Sequence, residues 1–151
     1  MNPRQEIVEK WIERLAGADP KQAAALRAPE PDPFRNPVGY SIRRSLTQLW
    51  EQLQGGMDPD VVDSALDAVI RIRAVQDMSP AEAVSFVAQL RLILRQLPEA
   101  FDSVLLEPRI DQLERAARDK YVQCREQLHA ARLHETERQT RSHRIAGRAR
   151  A

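Results

Sequence analysis

Three features of the 151-residue sequence predict an all-α fold. Apolar residues recur at steps of three and four along most of the chain, the spacing that gathers side chains on one face of an α-helix. Proline, present ten times, repeatedly stands just behind a capping residue and ahead of such a run: Asn36-Pro37, Asp58-Pro59, Ser79-Pro80. Gly (5) and aromatic residues (5%) are scarce, whereas a sandwich or barrel wants more of both and more β-branched residues. No alternating strand pattern and no internal repeat appears. The length suits one domain, whose core buries well over half of the unfolded surface without help from metal or disulfide.

The first helix is expected over Pro3 to Ala16, with Ile7, Val8, Trp11, Ile12 and Leu15 forming one inward stripe. Gly17 stops it, and Asp19-Pro20 restarts a short segment through Leu26. Ala28 to Pro37 then holds four prolines in ten residues, a rigid extended connector. Phe34 is its only large apolar side chain and is expected to plug into the core.

Asn36 caps the next helix, which presents Val38, Ile42, Leu46, Leu49, Trp50 and Leu53 and ends at Gly55-Gly56. Asp58-Pro59 opens a helix through Val75 that is apolar on more than one stripe. Ser79-Pro80-Ala81-Glu82 is a capping box, and the helix behind it, to about Leu97, is apolar on nearly every face. These two helices should be the most buried pair.

A short segment from Pro98 to Leu106 leads to Pro108, which kinks a helix or starts one. Ile110, Leu113, Ala117, Tyr121, Cys124, Leu128 and Ala131 then form a heptad-like seam, with no breaker before Gly147. A helix of roughly thirty residues is about 45 Å long, more than a body of this size covers. Its distal half must project, pair with another chain or fray. Six or seven helices are expected, the last of them long.

The net charge of +1 conceals an asymmetry. Residues 132–151 carry six Arg against Glu135 and Glu137, while residues 1–131 carry 17 basic and 20 acidic side chains. The chain therefore divides into a mildly acidic helical body, 1–131, and a basic helical tail, 132–151. This balance gives no reason to expect nucleic acid as a partner. No apolar run is long enough for membrane insertion, and no signal segment opens the chain, so the expected location is cytoplasmic.

Catalytic patterns are missing. A single cysteine excludes an internal disulfide and a Cys-only zinc site, and Cys124 on the apolar seam reads as a small buried hydrophobe. His129 and His134 are five apart and do not share a helix face as a metal pair would. No phosphate loop, nucleophile elbow or spaced carboxylate pair stands out. No cofactor is expected, and no enzyme. Arg71, Arg73, Gln76 and Asp77 crowd one interhelix turn, either as an Arg–Asp lock or as a polar recognition patch. Leu46, Trp50, Phe86, Leu90 and Ile93 either pack together or line a small-ligand pocket.

Asp32 to Gly39, then Ile70 to Val84, then Asp119 to Glu126 resemble, in order and spacing, the RsbRD N-terminal domain family. These are the N-terminal modules of RsbT co-antagonist proteins of bacterial stress signalling. The likeness extends over roughly residues 5–140. It implies a globin-like, non-haem sensor domain, dimeric, handing its signal along a C-terminal helix to a STAS-domain protein, a kinase or another signalling protein. It brings no catalytic residues. The absence of His between Asn36 and Leu97 agrees with a module that lacks haem. No output domain follows within the sequence, so the expectation is a stand-alone regulatory module that homodimerises through the seam. A small-ligand binding module and an accessory subunit of a redox or membrane-associated complex are the alternatives.

Overall fold

The structure is a computed structural model that describes residues 3–16, 34–76, 78–97 and 101–150. Among these residues the chain is all-α: α1 (Pro3–Ala16), α2 (Pro37–Gln54), α3 (Pro59–Val75), α4 (Pro80–Arg95) and α5 (Ser103–Arg150). Five helices fall within the described residues, where six or seven are expected over the whole chain, and no strand occurs among them. The segment expected around Pro20 to Leu26 and most of the proline-rich connector lie outside the described residues.

Side chains fix where the helices begin. Asn36 Oδ1 accepts from the Gly39 amide at 3.0 Å, Asp58 Oδ1 from Asp60 at 3.0 Å and Ser79 Oγ from Glu82 at 3.2 Å. Each satisfies a backbone donor that has no partner inside its helix. Asp102 does the same for α5, accepting from Val104 at 3.0 Å and Leu105 at 3.3 Å. With that cap α5 starts before Pro108, which lies inside the helix and does not start it. Pro108 stands close to the new start, and the Val104 carbonyl left without its helical donor belongs to a residue on the outer face, 84% exposed. A helix of 48 residues results, about 72 Å long at 1.5 Å per residue.

The core has two layers of logic. α5 is a spine on which α2, α3 and α4 pack, whereas α1 lies across α2 and α4 on the far side. α3 and α4 meet α5 more extensively than each other, so their high apolar content reflects burial between other helices. Trp11, Trp50 and Phe86 are the largest fully buried side chains. Trp11 stacks on Phe86 at 6.0 Å, and Trp50 meets Phe101 edge-on at 5.1 Å. Phe34 does not join them. It sits in the turn ahead of α2 and is 93% exposed, whereas Phe101 meets Trp50.

Candidate functional site: the junction at the root of the long helix

α3 and α5 face each other through a polar ladder built on helical spacing. Asp63, Asp67 and Arg71 are four residues apart on one face of α3 and oppose Lys120, Cys124 and Gln127 of α5. Lys120 is the most buried cation of the pair, with a side chain only 7% exposed. Its Nζ lies 2.8 Å from Asp63 Oδ1 and 3.8 Å from Asp67 Oδ1, and donates to Gln123 Oε1 at 3.1 Å. An ammonium so placed is tolerated because these oxygens replace its lost water.

Arg71 holds Asp67 with two contacts, Nη2 to Oδ1 at 2.9 Å and Nε to Oδ2 at 3.3 Å, and reaches Gln127 Oε1 at 3.2 Å. The Arg71 hydrogen bond, aided by the charges of Arg71 and Lys120, keeps the Asp67 carboxyl below its ordinary pKa despite partial burial. Cys124 Sγ lies 4.0 Å from Asp67 Oδ1. Burial pushes its thiol pKa up, the opposite of what an activated nucleophile needs.

One turn further along, α5 closes the C-terminal end of α3. Arg125 Nη1 donates to the Ala74 carbonyl at 3.1 Å, and Tyr121 donates its hydroxyl proton to the Met78 carbonyl at 2.6 Å. Last-turn and turn carbonyls without helical partners are satisfied this way, and the α3–α4 turn is tied to α5. Beyond the clasp a cleft of about 160 Å³ opens between the helices, lined by Arg71, Ala74, Val75, Cys124, Gln127, Leu128 and Ala131. Leu128 is half-buried there, and residues 129–147 are exposed.

The predicted seam is therefore divided. Ile110, Leu113, Ala117, Tyr121 and Cys124 belong to the chain's own core, each 6% exposed or less, and cannot meet a partner without unfolding the body. Only Leu128 and Ala131 reach the surface at the cleft.

The predicted polar patch is divided as well, because residues two apart on a helix point in opposite directions. Arg71 turns to α5, while Arg73 turns to α4, donating to the Glu82 carbonyl at 3.1 Å with its guanidinium 5.8 Å from the Phe86 ring centre. Desolvation lowers the Arg73 pKa. Gln76 is exposed at the end of α3, and Asp77 lies outside the described residues. Leu46, Trp50, Phe86, Leu90 and Ile93 are all 1% exposed or less in one core cluster.

The sequence reading missed Asp63, Asp67 and Lys120, although the Asp63–Asp67–Arg71 spacing was there to be read. Elsewhere, Arg91 of α4 holds Glu107, Asp111 and Glu114 of α5. A cleft of about 230 Å³ lies beside it, lined in part by Leu94, Phe101 and Ile110. No group of three or more His, Cys, Asp or Glu arranged to hold a metal occurs among the described residues. Nor is any helix among them long and apolar enough to cross a membrane.

A family model described as the RsbT co-antagonist protein rsbRD N-terminal domain matches residues 5–136. No curated protein and no solved structure matches the chain.

Proposed function

We propose, from the premise that this chain belongs to the RsbT co-antagonist protein rsbRD N-terminal domain family, that it is a regulatory module of stress signalling acting by association and not by catalysis. One observation carries the reading: a single helix, α5, is both the spine of the core and a projection of some twenty exposed residues beyond it. A change of packing in α2, α3 or α4 cannot leave α5 where it was, because interiors are close-packed and transmit strain. The clasp formed by Tyr121 and Arg125 couples the α3–α4 turn to the same helix. The projecting half is then the output, which self-associates and offers its surface to a STAS-domain protein, a kinase or another signalling protein in the cytoplasm. Its surplus of Arg suits an acidic partner surface.

Light scattering on the full chain tests the reading. A dimer is expected at high micromolar concentration, and a strict monomer there overturns self-association.

A further inference from the structure

The proposed self-association becomes specific when the projecting half of α5 is taken residue by residue. Leu128, Ala131, Glu135, Arg138, Ser142 and Ile145 follow one another at steps of three, four, three, four and three. At 100° per residue they fall in one stripe about 100° wide, continuing the stripe that Ile110 to Cys124 turn to the core. Within one chain Arg138 Nη2 and Glu135 Oε2 are 3.3 Å apart, so these two groups share that face. Ile145 is 69% exposed at the far end.

The order of steps is the same read in either direction. Reversed against itself, the stripe sets Leu128 opposite Ile145, Ala131 opposite Ser142 and Glu135 opposite Arg138. We propose that a second copy of this chain packs antiparallel on the projecting half of α5, centred between Glu135 and Arg138.

Charge decides the direction. A parallel, in-register pair places Glu135 on the partner's Glu135 and Arg138 on the partner's Arg138, two adjacent like-charge layers. The antiparallel pair turns both layers into opposite-charge contacts and leaves apolar contacts at the two ends. Near the root, Leu128 and Ala131 line the cleft with Ala74 and Val75, and Val75 is 58% exposed. The partner's Ile145 reaches this cleft and covers it. Two-fold symmetry repeats the contact at the other end, about 26 Å away along the helix. Leu128, Ala131 and Glu135 lie within the stretch that the family model matches, and Arg138, Ser142 and Ile145 lie past it.

The proposal rests on the self-association reading, and disulfide trapping separates the two. Full-length variants carry Cys124→Ser with either Leu128→Cys or Ile145→Cys, one bearing an affinity tag so that mixed dimers are recognised by mass. Under mild oxidation the mixture is expected to give the mixed disulfide dimer, and each variant alone much less. Efficient trapping of Leu128→Cys with itself and no mixed product overturns the antiparallel arrangement while keeping a dimer. No dimer of any kind at high micromolar concentration overturns both.

A charge exchange without cysteines gives a second readout. Glu135→Arg is expected to weaken the dimer by about tenfold or more, and Glu135→Arg with Arg138→Glu to restore it. Equal association of all three proteins overturns the pairing.

Discussion

Trp11 Nε1 donates to the Phe86 carbonyl at 2.7 Å, joining α1 to α4 across 75 positions of sequence in a buried site. The same rings stack at 6.0 Å, so one residue supplies both a packed aromatic surface and a buried polar tie at that crossing, beside the exposed Arg14–Gln89 contact at 3.3 Å. A buried indole donor left unpaired costs stability, and a helical carbonyl has a second lone pair to give. Trp11→Phe keeps most of the ring and removes the donor. We expect a loss of about 1–2 kcal/mol in urea unfolding, against about 3–5 kcal/mol for Trp11→Ala. Equal losses for the two would contradict a distinct role for the hydrogen bond.

Leu113 and Leu128 separate the body from the projection. Leu113 is 1% exposed in the core, so Leu113→Glu is expected to unfold the chain, seen as loss of helical circular dichroism. Leu128→Glu meets water at the cleft mouth and is expected to keep the fold while lowering the mass measured by light scattering. A folded Leu113→Glu protein would show that the seam does not lie in the core.

The Asp67–Arg71–Lys120 ladder predicts an acid dependence. Arg71 and Lys120 depress the Asp67 pKa in the folded chain, so this carboxylate favours folding above its unfolded pKa of about 3.9. That contribution is lost as pH falls through the lower, folded value. Asp67→Asn should therefore lose stability at pH 7 and differ little from the parent near pH 2. A stability gap that stays constant between those pH values would remove the ladder from the account.

Cys124 has the reverse sign. Burial raises its folded pKa, so the protonated thiol favours folding below the unfolded pKa of about 8.5, and that contribution is lost as pH rises through the folded value. A thiol reagent at pH 8 should react slowly with the native chain and rapidly in denaturant. Rapid native reaction would show an open Cys124.

Much of this fold was legible in the sequence, and the reasons are local. Asn36, Asp58 and Ser79 with their following prolines encode helix starts that the structure keeps, because a cap is decided by neighbours within three residues. Phe34 lies on the surface against the expectation, because an apolar residue type does not itself say whether a core position is within its reach. Pro108 allows either a kink or a helix start by itself, and the Asp102 cap just upstream decides that it lies inside a helix.

The seam shows the deeper limit. Periodicity reports that a helix face is covered, not by what, and the body's own helices α2, α3 and α4 cover it as far as Cys124. Likewise Arg71 and Arg73 are neighbours in sequence yet serve opposite interfaces, which only the packing of α4 and α5 decides. Lys120 was hidden because its partners Asp63 and Asp67 lie more than fifty residues away.

Amide hydrogen exchange along α5, at low and at high micromolar concentration, tests most directly whether one helix serves as spine and association element. Residues 106–124 are expected to be protected equally at both concentrations, as the core requires. Residues 128–145 are expected to gain protection only at the higher one. Exchange in the distal segment that is fast at both concentrations would contradict the account.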